Sequence, residues 1–273
     1  MQKTGKILVA SLMILVLGLA LSGCSKMDVA DSKAAGDKGA EQSLEYQGEG
    51  LMVHSGAGLS RAMDDIGQAF EKRYGAKVNF NYAGCAQLLG QMEINKTGDV
   101  FVGGSLNDAE IALQKGFADT YVEVVYHIPA IAVPNGNPAG IKSLSDMAKP
   151  GVKLILGDTE SNAIGKKGEK IFEKNNLTEA INANVVARDA TVNEIVTHIG
   201  LKQGDACLIW EDNGYGASEI EVISIPEDQN AVDKVPVCVL SFTENKELSQ
   251  AFVDFVNSDE GKAIFAKHGF KEI

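Results

Sequence analysis

The sequence predicts an α/β fold made of two doubly wound mixed sheets joined by hinge strands. Three observations predict it. Short apolar runs alternate with amphipathic segments of helical period, the order that gives parallel sheets covered by helices. The pattern halts at a long apolar stretch, Val122 to Val133, which holds Pro129 and ends in Pro134-Asn135-Gly136-Asn137-Pro138, as a strand running between two sheets would. Beyond that stretch the alternation starts again.

Leu51 to His54 reads as the first strand, and Ser55-Gly56-Ala57-Gly58 as the turn after it. Leu59, Met63, Ile66 and Phe70 recur at helical spacing with charged residues between them, and Gly75 closes that helix as a C-cap. Lys77 to Tyr82 alternates as a second strand, and Ala83-Gly84-Cys85-Ala86 turns into a helix carrying Leu88, Leu89 and Met92. Asp99 to Val102 is a third strand, stopped by Gly103-Gly104; Ser105 caps a helix through Ala112, closed by Gly116. After the crossing stretch, Val152 to Leu156 is a strand that turns at Gly157 to Asn162 into a helix from Ala163. Asn184 to Ala187 is a strand followed by Asp189-Ala190-Thr191 and a helix with Val192, Ile195, Val196 and Ile199. Ala206 to Trp210, Glu219 to Ile225 and Val235 to Leu240 are further strands. Thr243 opens a helix carrying Leu248, Phe252, Phe255 and Val256, and a last helix from Ser258 carries Ile264 and Phe265 and ends at Gly269. No repeat of solenoid period is present.

The chain has 25 Lys and Arg against 37 Asp and Glu among 273 residues, a formal charge of −12. That balance excludes a nucleic-acid binder, which needs a basic surface to neutralise phosphates. Lys3 and Lys6 precede an apolar run from Ile7 to Leu21, followed by Leu21-Ser22-Gly23-Cys24. A basic start, an apolar middle and a small-residue end are the parts of a secretory signal. The tetrapeptide resembles the bacterial lipobox, whose Cys receives diacylglycerol and becomes the mature N-terminus. Residues 1–23 are expected to be removed and Cys24 lipidated. Residues 24–48, rich in small and charged residues, are expected to tether the body to the outer side of the membrane. Of the 4 cysteines, Cys85, Cys207 and Cys238 then remain in the body. Cys207 and Cys238 fall in apolar strands and read as core.

Two sheets joined by crossing strands put a crevice between them, and ligands in such folds sit at strand carboxyl ends facing helix N-termini. The first lobe is expected over residues 49–126 and 241–273, the second over residues 127–240, with bending around Tyr126 and Ile225. The turns at Ser55–Ser60, Gly84–Gln87, Gly104–Ser105, Ser161–Ala163 and Ala190–Val192 are small, uncharged and rich in Gly or hydroxyls. Helix N-termini expose unpaired N–H groups and partial positive charge, so such turns form an anion cradle. Small residues are also what any strand-to-helix turn needs, so the set carries the argument, not a single turn.

The stretches "SGAGLSRAMDDIGQAFEKRYGAKVNFNYAGCAQLLGQMEINKTGDVFVGGS", "HIPAIAVPNGNP", "LGDTESNAIGKKGEKIF", "ATVNEIVTHI", "DACLIWEDNG" and "AFVDFVNSDEGKAIFAKHGF" resemble the molybdate/tungstate-binding family of ABC-importer solute receptors. The resemblance implies the two-lobed periplasmic-binding-protein fold (type II), no enzymatic activity, no cofactor, and an ABC permease with its ATPase as partner. It also implies a tetrahedral oxyanion, molybdate or tungstate, held between the lobes by hydroxyl and backbone donors without a charged side chain. Carried onto this chain, the first serine of the family falls on Gly58, with Ser55 and Ser60 beside it. The second falls on Cys85, next to Ala86. The backbone positions fall on Ala163 and on Thr191 with Val192 beside it, and the tyrosine falls on Trp210.

Cys85 leaves alternatives open. A thiol at a helix N-terminus tends toward thiolate, which attracts a soft metal ion or metal complex. His54, at the end of the first strand, could join it there. A catalytic thiol in an extracellular enzyme is a further reading, although no His-Asp set stands near Cys85 in sequence. His127 lies on the crossing stretch, and His198 and His268 read as surface residues. Glu211 and Asp212, after Trp210, could act as paired carboxylates, but more naturally cap the next segment or bond across the lobes.

Overall fold

A computed structural model describes residues 45–273. The apolar secretory run, Cys24 and the tether up to residue 44 lie outside the described residues. Strand β1 (Gly50–Gly56) runs into a 3₁₀ turn at Ala57–Leu59 and helix α1 (Ser60–Tyr74). Strand β2 (Lys77–Ala83) leads to α2 (Cys85–Asn95), and β3 (Val100–Val102) to α3 (Leu106–Gln114). The long apolar stretch is two strands, β4 (Val122–His127) and β5 (Pro129–Pro134). It breaks at Ile128 because Pro129 has no N–H to continue a ladder and suits the first position of a strand.

The second half continues with the short helix α4 (Leu144–Met147), β6 (Leu154–Gly157), α5 (Ala163–Lys174), α6 (Thr178–Asn182) and β7 (Val185–Asp189). Then follow α7 (Val192–Gly200), β8 (Cys207–Trp210), a 3₁₀ turn at Glu211–Gly214 and β9 (Ile220–Ser224). The chain closes with β10 (Asp233–Val239), α8 (Lys246–Val256), α9 (Asp259–Lys267) and the two-residue β11 (Lys271–Glu272). The sequence reading does not anticipate α4, α6 and β11, which are too short to carry a period.

Sheet order in the first lobe is β11-β4-β10-β3-β1-β2. β1 pairs parallel with β2 and β3, and β10 runs antiparallel between β3 and β4. In the second lobe β8-β5-β9 is antiparallel, and the parallel pair β6-β7 joins it through a bridge from Leu154 to Ala206. β10 corrects the expected lobe boundary: residues 233–239 belong to the first sheet, not the second lobe. Its apolar run is that of a central strand buried on both faces. Val235 and Val237 pack on one face, and Cys238 and Leu240 on the other. The chain therefore crosses between lobes at residues 127–129 and again between β9 and β10.

Helices α1, α8 and α9 cover one face of the first sheet, and α2 and α3 the other. Phe70 of α1, fully buried, meets Phe252 and Phe255 of α8 edge-on at 5.1 and 5.6 Å. Such a side chain contributes about 1.5–3 kcal/mol by leaving water. Gly75 takes the left-handed C-cap as expected, φ 84°. The α8 boundary differs from expectation. Asn245, not Thr243, is the N-cap, and its side chain accepts from the Leu248 N–H. The Thr243 hydroxyl instead donates to Asp99 at 2.6 Å, tying this segment to the start of β3. Cys207 and Cys238 are buried free thiols, each pushed up by desolvation. Among the described residues no helix is long and apolar enough to cross a membrane.

Candidate functional site

A cavity of about 30 Å³ lies where the helix N-termini of the two lobes meet. The first lobe contributes the turn Gly56–Leu59, the start of α2 with Gly84 and Cys85, and Gly104 after β3. The second contributes Asn162 and Ala163 at the start of α5, Ala190 to Val192 at the start of α7, and Trp210 at the end of β8. His127, where the chain crosses, completes the wall. No Asp, Glu, Lys or Arg lines it. The helix ends differ in how their N–H groups are used. At α5 the Asn162 side chain accepts from Ile164 N, and at α7 Thr191 and Glu194 form a capping box. At α2 no side chain caps the end, so its first-turn N–H groups remain available as donors.

Glycine is required where the lobes touch. A Cβ on Gly58 would stand 2.6 Å from Val192 Cγ1, and one on Gly84 3.1 and 3.2 Å from the carbonyl oxygens of Ala190 and Ser161. Hydrogen bonds between the lobes hold this closed arrangement. Asn193 Nδ2 donates to Ala57 O at 2.9 Å and Asn213 Nδ2 to Gly58 O at 3.0 Å. The Arg61 guanidinium donates to the carbonyls of Tyr215, Asp212 and Asn213 at 2.7, 3.2 and 3.3 Å. Lys271 pairs with Glu211 at 3.0 Å. Glu211 thus serves to bond the lobes, and the buried Asp212 accepts from Asn213 Nδ2 at 3.0 Å.

Gly58, Cys85, Ala163, Thr191, Val192 and Trp210 line the cavity as the carry-over placed them. Ser55, Ser60 and Ala86 do not. β1 runs through Ser55 to Gly56, and its buried hydroxyl reaches only Gly56 O, at 3.4 Å. The 3₁₀ turn then delays α1, so Ser60 falls beyond the cavity. Ala86 is the second residue of α2, where the backbone N–H rather than the methyl can face a ligand. His127 is the wall residue that sequence reasoning undervalued. Its ring stacks on Trp210 at 3.8 Å, Nδ1 lies 2.7 Å from Gly104 O, and Nε2 lies 3.3 Å from Asp212 Oδ1. The signal available was its position at the one apolar stretch that crosses between sheets.

The surroundings of Cys85 favour the protonated thiol over the thiolate, the two forms that the sequence left open. Burial, reinforced by the Asp108 carboxylate, pushes it well above its ordinary value, and the 3.3 Å bond from Gly104 N–H only partly opposes this. Asp108 is itself buried and held above the usual carboxylate range by desolvation, with Ser105 Oγ donating at 2.9 Å. Nor does the fold bring His54 to Cys85. The His54 ring is held between Asn81 Nδ2 at 3.0 Å and Thr97 O at 2.9 Å. Among the described residues no group of three or more His, Cys, Asp or Glu could hold a metal.

Residues 51–271 match the model of the bacterial extracellular solute-binding protein family. The chain belongs to that family. A "Putative binding protein" of Haemophilus influenzae is 28% identical to this solute-binding protein over 82% of this chain and 91% of its own. The "Molybdate-binding protein ModA" of Mycobacterium tuberculosis is 25% identical over 94% of each chain. The solved structure of the sulfate-binding protein SubI from Mycobacterium tuberculosis aligns with a TM-score of 0.75 at 16% identity, covering 82% of this chain and 87% of that one. The solute-binding protein has the two-lobed type II fold.

Proposed function

We propose that this solute-binding protein captures a small oxyanion between its lobes and delivers it to an ABC permease and its ATPase. The observation that carries the reading is the cavity of about 30 Å³, walled by residues other than Asp, Glu, Lys and Arg and by helix N-termini from both lobes. A single water needs roughly 10–15 Å³ in this measure, so only a few heavy atoms fit. In a chain of charge −12, an anion is repelled at long range and must be held at short range by dipoles. Each charge-assisted hydrogen bond contributes roughly 1.5–3 kcal/mol, so the donors of three helix ends offset dehydration and lost mobility.

Molybdate and tungstate are the favoured ligands over sulfate. The thiol of Cys85 makes longer contacts than a hydroxyl, which suits the larger tetrahedral ions. Closure proceeds by bending at the two crossings, residues 127–129 and the β9–β10 connection, and the closed form is the one that docks on the permease. Cys24 carries the lipid that keeps the receptor at the outer face of the membrane, and no substrate is turned over.

The test is a thermal melt of residues 44–273 with molybdate, tungstate, sulfate and phosphate, followed by calorimetric titration. A ligand at a hundred times its Kd stabilises the native state by about 2.7 kcal/mol, a rise of roughly 5–10 °C for a body of this size. No shift with any of the four ions would refute the reading. Lipidation is tested separately, by labelled fatty acid entering the wild-type chain and not C24A.

A further inference from the structure

His127 is buried, lines the cavity, and has an oxygen beside each of its ring nitrogens. Nδ1 lies 2.7 Å from Gly104 O, an atom that only accepts, so Nδ1 carries an N–H. A neutral ring then bears a lone pair on Nε2. That lone pair stands 3.3 Å from Oδ1 of Asp212, a carboxylate that is itself buried. Lone pairs so placed repel, and Nε2 makes no hydrogen bond. Among the described residues three buried side-chain polar atoms lack a partner, and Nε2 is the one nitrogen among them. A buried polar group left in this way is costly and calls for a reason. One proton on Nε2 removes the conflict, because the ring becomes an imidazolium with a counter-ion beside it.

The other surroundings of the ring accept that charge. It stacks on Trp210 at 3.8 Å, and the face of an indole attracts a cation. Phe270 packs near it at 5.7 Å and is apolar. The remaining carboxylates of the neighbouring elements are engaged elsewhere. Asp233, opposite His127 across the β4–β10 ladder, pairs with Lys167, and Glu211 pairs with Lys271. Behind Gly104, burial pushes Asp108 and Cys85 toward their protonated forms. Asp212 and a protonated His127 cancel in net charge, so an anion in the cavity meets the nearer, positive partner without the fold holding an unpaired charge.

We propose that this receptor binds its oxyanion together with one proton, taken from solvent by His127 Nε2 and held between the ring and Asp212. The cavity then offers the anion a positive charge as well as the N–H groups of helix ends. The inference rests on the oxyanion reading above and adds a binding residue to it. The coupling is reciprocal: a bound dianion favours the imidazolium, and the imidazolium favours the dianion. An imidazole ordinarily titrates near about 6.5, so affinity is highest in mild acid and falls as pH rises through neutrality, by up to about tenfold per pH unit.

The test is calorimetric titration of the mature chain with molybdate, tungstate and sulfate from about pH 6 to about pH 9. These ions stay dianionic over that range, so a proton taken up is not theirs. Repeating each titration in buffers of different ionisation heat counts the protons. Close to one proton per anion is expected at about pH 8, with Kd rising about tenfold over the next pH unit. H127Q should take up none and bind with nearly the same affinity at every pH. D212N, whose amide N–H can donate to a neutral Nε2, should do the same with the cavity wall intact. No net uptake by the wild type overturns the inference, and this arm decides even where a variant fails to fold. Uptake that persists in H127Q overturns it as well, because the proton then goes to another group such as Asp108. So does uptake that persists in D212N. Binding with a flat pH profile overturns the inference and leaves the oxyanion reading intact. Silence from all three ions overturns the inference, and silence from phosphate too overturns both.

Discussion

Replacing Gly84 by Ala adds one methyl group at the N-terminus of α2. The backbone there, φ −60° and ψ 139°, is one that Ala adopts freely, so the first lobe by itself is not strained. The new Cβ meets only the second lobe. It would stand 3.1 Å from Ala190 O and 3.2 Å from Ser161 O, and backbone oxygens cannot rotate away as a side chain tip does. The lobes must therefore close a few tenths of an ångström short, or not at all. Overpacking of one methyl costs typically 1–3 kcal/mol, here charged to the closed state alone. Loss of Gly at the N-cap adds about half a kcal/mol to the cost of the fold itself, the difference between Gly and Ala caps. Because binding needs the closed state, apparent affinity for molybdate should fall by about 5- to 150-fold, while the melting temperature without ligand falls by about 1–2 °C. Calorimetric titration and melting of the same preparation measure both. Unchanged affinity in G84A, or a loss of ligand-free stability as large as the loss of affinity, would refute the claim that Gly84 is small because the lobes meet there.

Arg61→Gln removes three inter-lobe bonds from one guanidinium, two of them partly buried, and should raise the dissociation rate about tenfold in stopped flow with little change in association. Equal changes in both rates would argue against a latch. Asp108 is held above the carboxylate range by burial, so the native state favours its protonated form. Its contribution to stability is full below the unfolded value near 3.9 and is lost as pH rises through the native one. Asp108→Asn should accordingly melt higher than wild type at about pH 7 and match it near pH 4; a difference independent of pH would refute this. Cys85 should alkylate at pH 8 far more slowly than a free thiol, and faster in R61Q, where the lobes part more often. Mass spectrometry of the labelled peptide reads the rate, and equal labelling of both proteins would count against the closed cavity as its shield.

Much of this architecture is local in origin and so legible along the chain. The helical spacing of Leu59, Met63, Ile66 and Phe70 predicts the buried stripe of α1, because a helix on a sheet must hide one face. The small, uncharged turns after each strand mark where the cavity forms, because a strand that ends and a helix that begins leave free N–H groups wherever they occur. The resemblance places Gly58, Cys85, Ala163, Thr191, Val192 and Trp210 at that cavity, and each lines it. Ser55 and Ser60 miss it through a displacement of only part of a turn, since a 3₁₀ segment and an extra strand residue leave no mark on hydrophobic period.

By itself the sequence determined the alternation of strands and helices, the crossing between two sheets at Val122 to Val133, and the neutral turns that face the crevice. All follow from which faces of short segments are apolar and where glycine breaks them. The tertiary structure alone decided that β10 inserts between β3 and β4, that His127 stacks on Trp210 in the cavity wall, and that Cys85 is a buried thiol beside Asp108. Strand partners, stacking and desolvation are set by residues brought together from positions far apart in the chain. A pairing such as Val237 with Val102 has no local signature, because both strands would look the same beside any other apolar partner.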